Sequence, residues 1–466
     1  MHAIALCRRN LSPLPSIAIN TPTHSPKLSR AVLLLAIAVL GLLSILRISV
    51  LFLSRDAFLE DPDAYRSLAV GLKASGIYGN SVDSPIKPTA FRPPLYPWLL
   101  SFGVNQENRS LSFVFLAAMH SILGVATCCG TAYLSHVLLT MTLPHLSRSL
   151  WIVGVLASTW IVAVDPILIR QSQLIMTETL ATFLSVVSLV CCHRFIQTQS
   201  QRAQLFWAIG TGLAFGFNSL CRPTAVAWLA LVLVCVGLLS RHFQFPVRTV
   251  LCLFVGFAVC IVPWGIRNSM FCGKFVLTTT HGGYTLLLAN NPSLYDHLDR
   301  SWSRDWDESS FFADWSQRSS ASSSEIEQDR LARNIALKTI RERPLAFLKS
   351  SVARLLWLWA PWPNQGGLLA RIGIGAWYFS VYIGAMFGLA SLIRTFRPTP
   401  SAARYWFPLL TLILSVSMVH SVFWSNMRMR AVCMPAVSIL ASLGVVATLR
   451  PRLGSKDTIC SVESML

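Results

Sequence analysis

Ten long apolar stretches dominate the chain, at about residues 31–53, 111–139, 150–165, 177–196, 205–220, 224–240, 249–266, 368–393, 405–423 and 431–449. A backbone in lipid must satisfy its own N–H and C=O groups, and runs of roughly 18 to 25 apolar residues do so as helices. The alternating ten-residue strands of a membrane barrel do not occur in the sequence. With 53% hydrophobic and 13% charged residues in 466, there is too little polar surface to clothe a soluble globule. The expectation is an all-α integral membrane protein of about ten transmembrane helices. The stretches 150–165 and 205–220 are short enough to be tilted or broken.

An even number of crossings puts both ends of the chain on one side. Arg30, Arg148, Arg194, Arg202, Arg241, Arg248, Arg394, Arg397, Arg404, Arg450 and Arg452 all fall in segments that this threading gathers together, which marks that side as cytoplasmic. The acids test the threading independently. Six lie between Asp56 and Glu107, ten between Asp296 and Glu342, and Asp165 and Glu178 flank the turn after the third stretch, which puts 18 of the 20 on the outer side. The net charge of +19 then follows from the bias of the inner loops, and no basic run interleaved with aromatics suggests nucleic acid. The 12 cysteines lie mostly in apolar stretches as small hydrophobes, with neither a disulfide framework nor metal-ligand spacing.

This organisation divides the chain into a disordered cytoplasmic tail (1–29), a transmembrane module (30–266) whose first outer loop covers about 54–110, an extracytoplasmic segment (267–367), the C-terminal transmembrane helices (368–450) and a cytoplasmic tail (451–466). The first stretch is too long for a signal-peptide core and reads as an uncleaved anchor. In the first outer loop Tyr65, Leu68, Ala69 and Leu72 recur at helical spacing and Gly76 offers a stop, so an amphipathic helix is expected there. The segment 267–367 is expected to be small and mixed in structure, with helices on either side of Pro344 and Trp357, Trp359 and Trp362 at the membrane interface. No internal repeat of the kind that builds many transporters is found.

Polar chemistry is therefore sought on the outer face. Arg92, Arg170, Arg222, Arg267, Arg428 and Arg430 lie in outer loops or at the outer ends of stretches. Each alone reads as a snorkelling side chain, but as a set their guanidinium forks suit the oxygens of a phosphate. Asp61 and Asp63 bring carboxylates to the same loop. Either one can cap the helix that follows or draw a proton from a hydroxyl, and spacing alone leaves both readings open, including Asp63 as cap with Asp61 as base. Glu178 reads first as an acid at a helix N-terminus, and His281, beside two glycines, first as a structural histidine. Tyr65, Tyr96, Glu178, Arg222 and His281 are candidate substrate contacts. Fingerprints for a nucleotide, a dinucleotide or a serine nucleophile are missing, which excludes those enzyme classes, and no cofactor or metal is called for.

The order of motifs carries a resemblance. Asp61 four residues before Tyr65, a helix ending in Gly, and RPPLYPW are followed by CRPTAVAWLAL, PWGIRNSMFCGKFVLTT, LANNP, ARNIALKTIRERPLAFL and RMRAVCMPAVSIL. Over roughly residues 30–450 the chain resembles the multi-span GT-C glycosyltransferases, which include the protein O-mannosyltransferases and the lipid A aminoarabinose transferases. That resemblance implies a multi-pass protein of the cell (inner or plasma) membrane. Its active site would lie on the non-cytoplasmic face, moving a hexose or pentose from a polyprenyl-phosphate carrier with inversion. It matches Asp61 to the acid of the first loop and Arg92 to the basic residue contacting the carrier phosphate. Arg267 and Arg428 or Arg430 are placed around the same anion. In this sequence Pro62 stands where many relatives have Glu, so Asp63 shares the candidate base role. The outer segment is short for a protein O-mannosyltransferase, which points to a lipid or glycan acceptor in a cell envelope. The rival reading is a transporter or flippase for an anionic lipid.

Overall fold

The computed structural model describes residues 41, 48–49, 51–53, 55–238, 246–320, 322, 324–396 and 403–450. The first apolar stretch and both tails expected from the sequence lie wholly or mostly outside these residues. A short 3-10 turn, Arg55–Leu59, leads to two loop helices, α1 (Tyr65–Ser75) and α2 (Leu95–Ser101). The bundle then runs α3 (Phe113–Thr142), α4 (Arg148–Ala163), α5 (Pro166–Ser172), α6 (Glu178–Gln197), α7 (Gln201–Cys221), α8 (Thr224–Leu238) and α9 (Val247–Cys272). The second loop segment holds α10 (Gly282–Ala289), α11 (Pro292–Arg300), α12 (Ser309–Ser320), α13 (Glu325–Glu342) and α14 (Pro344–Leu358). The chain closes with α15 (Leu368–Phe396), α16 (Ala403–Val422), a 3-10 turn Met427–Cys433 and α17 (Met434–Leu449).

Six helices among the described residues are long and apolar enough to cross a membrane, or seven if α4 and α5 count as one span bent by 45°. This is fewer than the ten stretches of the sequence, for identifiable reasons. The first stretch is outside the described residues, α8 is short, and α7 is diluted by Gln201, Arg202, Gln204 and Asn218. The 150–165 stretch is indeed broken. Asp165 caps α5 by accepting the Leu168 N–H at 2.9 Å, and Pro166 at the first helical position starts the new axis.

The segment 267–367 is not mixed. It is helical, and among the described residues the chain's β-pairing is limited to two isolated bridges, Gly79 with Pro88 and Val104 with Leu111, both in the first loop. Pro344 separates α13 from α14 as its missing N–H requires. The bundle's tight crossings rest on glycine. A Cβ at Gly388 or Gly444 would stand 2.0 Å from a carbonyl of the facing helix where α15 meets α17, and one at Gly212 would stand 2.1 Å from Leu253 O where α7 meets α9. Without a hydrophobic drive between helices in lipid, such close approach is what holds a pair together.

A candidate anion site at the loop ends of the bundle

The site begins with how α1 starts. Ala64 sits in the left-handed region at φ 60°, and this reversal swings Asp61 under the helix mouth. Its two oxygens accept the Arg66 N–H at 3.1 Å and the Ser67 N–H at 3.0 Å. Asp61 therefore holds the start of the helix, so of the arrangements the spacing leaves open, Asp63 as the cap is not the one found. Asp63 instead turns toward Arg92. The Arg92 guanidinium donates to Asp63 Oδ1 at 2.7 Å and to the Asp63 carbonyl at 3.2 Å. The Tyr78 hydroxyl fixes the turn that aims Arg92 back at the acid, donating to the carbonyls of Arg92 and Pro93 at 3.0 and 3.1 Å.

From Asp63 the charges continue across the bundle. Arg428, in the 3-10 turn before α17, reaches within 3.7 Å of Asp63 Oδ2 and within 3.7 Å of Glu178 Oε1. Arg222, at the end of α7, stands 3.4 Å from the same Glu178 oxygen. Glu178 is the first residue of α6, and its side chain is 2% exposed, so it meets the arginines instead of capping its helix. Three guanidinium groups thus surround two carboxylates, and the positive surplus favours an anion. The pairing is also incomplete. Glu178 Oε2, Arg222 Nη1 and Arg428 Nε are buried without hydrogen-bond partners. Buried N–H groups of this kind ordinarily have acceptors, and phosphate oxygens match a guanidinium fork.

The remaining candidates divide. Tyr65 is buried beside the cluster, its ring edge-on to Tyr96 at 5.4 Å and under the Arg92 guanidinium at 5.6 Å. Burial, partly offset by Arg92, pushes its phenol up to about 12. Tyr96 is fully buried and its hydroxyl is 3.0 Å from His120 Nε2, a structural bond inside the bundle. His281 precedes α10 with its ring 4.5 Å from Phe91, and burial plus Arg92 pulls its pKa down to about 3. Arg267 pairs with neither acid of the cluster. It donates to the carbonyls of Thr89 at 2.6 Å and Tyr78 at 3.1 Å, and so ties the first loop to the end of α9. Arg430 also faces elsewhere, donating to Leu358 and Ala360 carbonyls at 2.8 and 2.6 Å and lying 4.3 Å from the Tyr378 ring. Of the RMR pair, only Arg428 joins the cluster. Arg170, exposed, donates to Gln173 at 3.2 Å.

Sequence reasoning missed what joins the two loop segments. Glu325, at the start of α13, accepts from the Thr89 hydroxyl at 2.5 Å and the Ala90 N–H at 2.8 Å, and the Thr280 N–H donates to Ala90 O at 3.0 Å. Residues 89–92 are held from both sides. No sequence signal marked Glu325, one of ten acids in its segment. Among the described residues, no group of three His, Cys, Asp or Glu side chains could hold a metal ion.

The fold and these charges define an all-helical, multi-span membrane protein with an anion-ready cluster at its loop ends. The family described as dolichyl-phosphate-mannose-protein mannosyltransferase matches residues 96–278, a segment that includes Glu178, Arg222 and Arg267. The match covers less than half of the 466 residues, and within it the chain is similar to that family. Three solved structures are similar in outline. ArnT from Cupriavidus metallidurans bound to undecaprenyl phosphate is 14% identical, with 90% of this chain and 79% of that chain covered and a TM-score of 0.43. The apo state of the same protein gives 16%, 87%, 78% and 0.40. The oligosaccharyltransferase AglB from Archaeoglobus fulgidus, in complex with an inhibitory peptide and a dolichol-phosphate, gives 14%, 91%, 51% and 0.48, so this chain spans about half its length. No curated protein matches the sequence.

Proposed function

We propose that the chain is a membrane glycosyltransferase that moves a sugar from a polyprenyl-phosphate carrier to an acceptor hydroxyl on the non-cytoplasmic face. The observation that carries this reading is the incompletely satisfied cluster of Arg92, Arg222 and Arg428 around Asp63 and Glu178. A carrier phosphate would compete with Glu178 for Arg222 and Arg428, whose ion pairs at 3.4 and 3.7 Å are too long to be hydrogen bonds. The polyprenyl chain stays in the bilayer, where each buried CH₂ is worth about 0.8 kcal/mol, so the protein needs to grip only the phosphate and the sugar.

In the reaction the acceptor oxygen attacks the anomeric carbon from the face opposite the phosphate, and the carbon–oxygen bond to the phosphate breaks. The phosphate leaves with the electron pair, its growing charge met by the arginines, and the acceptor proton passes to a carboxylate. Asp61 turns to the start of α1 while Asp63 faces the arginines, so the base role is assigned to Asp63, which Arg92 orients. One displacement inverts the anomeric carbon. Asp61 becomes a positioning residue that sets the angle of Asp63.

A flippase for an anionic lipid would also want arginines, but it would need essential charges in the middle of its spans. On the six long apolar helices the Asp, Glu, Lys and Arg residues lie within two turns of an end. The test is saturable binding of undecaprenyl phosphate to the purified protein. Arg428→Gln should weaken it about tenfold or more, as loss of a charged hydrogen bond worth about 1.5 to 3 kcal/mol implies. Unchanged affinity would count against the phosphate site.

A further inference from the structure

A row of aromatic rings leaves the charge cluster and runs into the second loop segment. The Arg92 guanidinium lies 4.5 Å from the Phe91 ring, Phe91 is 4.5 Å from His281, His281 is 5.0 Å from Tyr284, and Tyr284 is 5.8 Å from Trp315 on α12. Each of these rings is partly exposed, and Tyr284 and Trp315 pack on the local core formed by Phe311 and Trp306, which are 5% and 9% exposed. The Tyr284 phenol, raised by burial, lies within the fields of Glu308, Arg92 and Asp63 together. Glu308 itself is half-buried at the start of α12, and its carboxylate makes no ion pair with the described residues.

We infer that Tyr284 and Trp315 form a platform for the sugar ring of a saccharide acceptor, with Glu308 receiving its hydroxyls, so that the enzyme extends a glycan or glycolipid. This rests on the glycosyltransferase reading above and names the acceptor class of that site. The apolar C–H face of a sugar ring packs against an aromatic face while its rim of hydroxyls needs a few placed polar groups. The near end of the row, Phe91 and His281, lies within reach of a sugar still joined to a phosphate at Arg92. The far end is two ring contacts further out, where a second sugar would stand with its hydroxyl turned toward Asp63.

The experiment offers the full-length purified protein two acceptors side by side, an alkyl hexoside and a threonine-containing peptide, with each of several undecaprenyl-phosphate sugars as donor. Transfer to the hexoside is expected. Trp315→Ala should raise the hexoside KM about tenfold while leaving the donor KM within about twofold, and Trp315→Phe should restore most of the loss. Glu308→Gln should raise the same KM without changing carrier binding. Transfer to the peptide alone, or a hexoside KM indifferent to Trp315→Ala, overturns the inference. So does absence of transfer to either acceptor while undecaprenyl phosphate still binds. Failure to bind undecaprenyl phosphate at all overturns instead the reading on which it rests.

Discussion

At the scale of single residues, the two aspartates of the first loop separate by their partners. Asp63→Asn should lower turnover by about 10²- to 10⁴-fold with the protein still folded, the range ordinarily supplied by a general base. Asp61→Asn should instead leave the rate far less affected, because Asn also caps helix N-termini, while Asp61→Ala should lower thermal stability by about 1 kcal/mol, as the loss of a helix cap does. Parallel melting curves and initial rates in detergent tell the two apart, and an Asp61→Asn protein as inactive as Asp63→Asn would return the base role to Asp61. The spacing of the acids could not decide this. The choice depends on Ala64 adopting a left-handed conformation, which nothing in an Asp-Pro-Asp-Ala run announces. Which arginine of the RMR pair meets Glu178 was equally hidden. The two stand two positions apart on a turn of three residues per revolution, so they must leave on different sides, but the sequence carries no phase.

His281 supplies a second residue-scale test. With its folded pKa at about 3 against an ordinary value near 6.5, the unfolded chain binds a proton between those two values while the folded one does not. Stability therefore rises with pH across that window and is lost as pH falls through it. His281→Phe, which keeps a ring against Phe91, should flatten this acid limb in melting temperature measured from pH 7 down to pH 4. An unaltered limb would show that other groups set it.

At the scale of elements, the periodicity of the sequence carried most of the fold. The amphipathic helix ending at Gly76, whose φ is 70°, the break at Pro344 and the apolar bundle helices are all present. What periodicity could not carry was the contact between segments far apart in the chain. Glu325 on Thr89 and Ala90, and the close approach of α10 to α13 at Gly283, are of this kind. A Cβ at Gly283 would stand 2.0 Å from Asp329 O, so Gly283→Ala must push α13 away. Because α13 carries Glu325, that displacement should loosen residues 89–92 and raise the donor KM, with faster proteolysis of the second loop segment as its physical sign. Normal kinetics in a Gly283→Ala protein would mean that Glu325 is not needed to hold Arg92.

At the scale of the whole molecule, a threading built only from apolar runs and arginines placed Asp63, Arg92, Glu178, Arg222 and Arg428 at one set of helix ends. The structure brings those five side chains into one cluster. That is why the site was legible in outline. A one-dimensional charge pattern fixes the end of the bundle on which a residue sits, though not whom it meets there. Topology reporters at the exposed positions 83 and 317 should accordingly read from outside the cell, and reporters at 145 and 199 from the cytoplasm. Opposite readings for 83 and 317 would break the cluster apart.

The central claim is that these five side chains transfer a sugar from a lipid phosphate, and a single-turnover assay tests it most directly. Purified protein in lipid vesicles is mixed with a panel of labelled undecaprenyl-phosphate sugars and an extract of envelope glycolipids, and the anomeric configuration of the product is read by NMR. The prediction is label on the acceptor from one donor, with inverted configuration, lost in Asp63→Asn and in Arg428→Gln. Retained configuration, or transfer that survives Asp63→Asn undiminished, would contradict the mechanism.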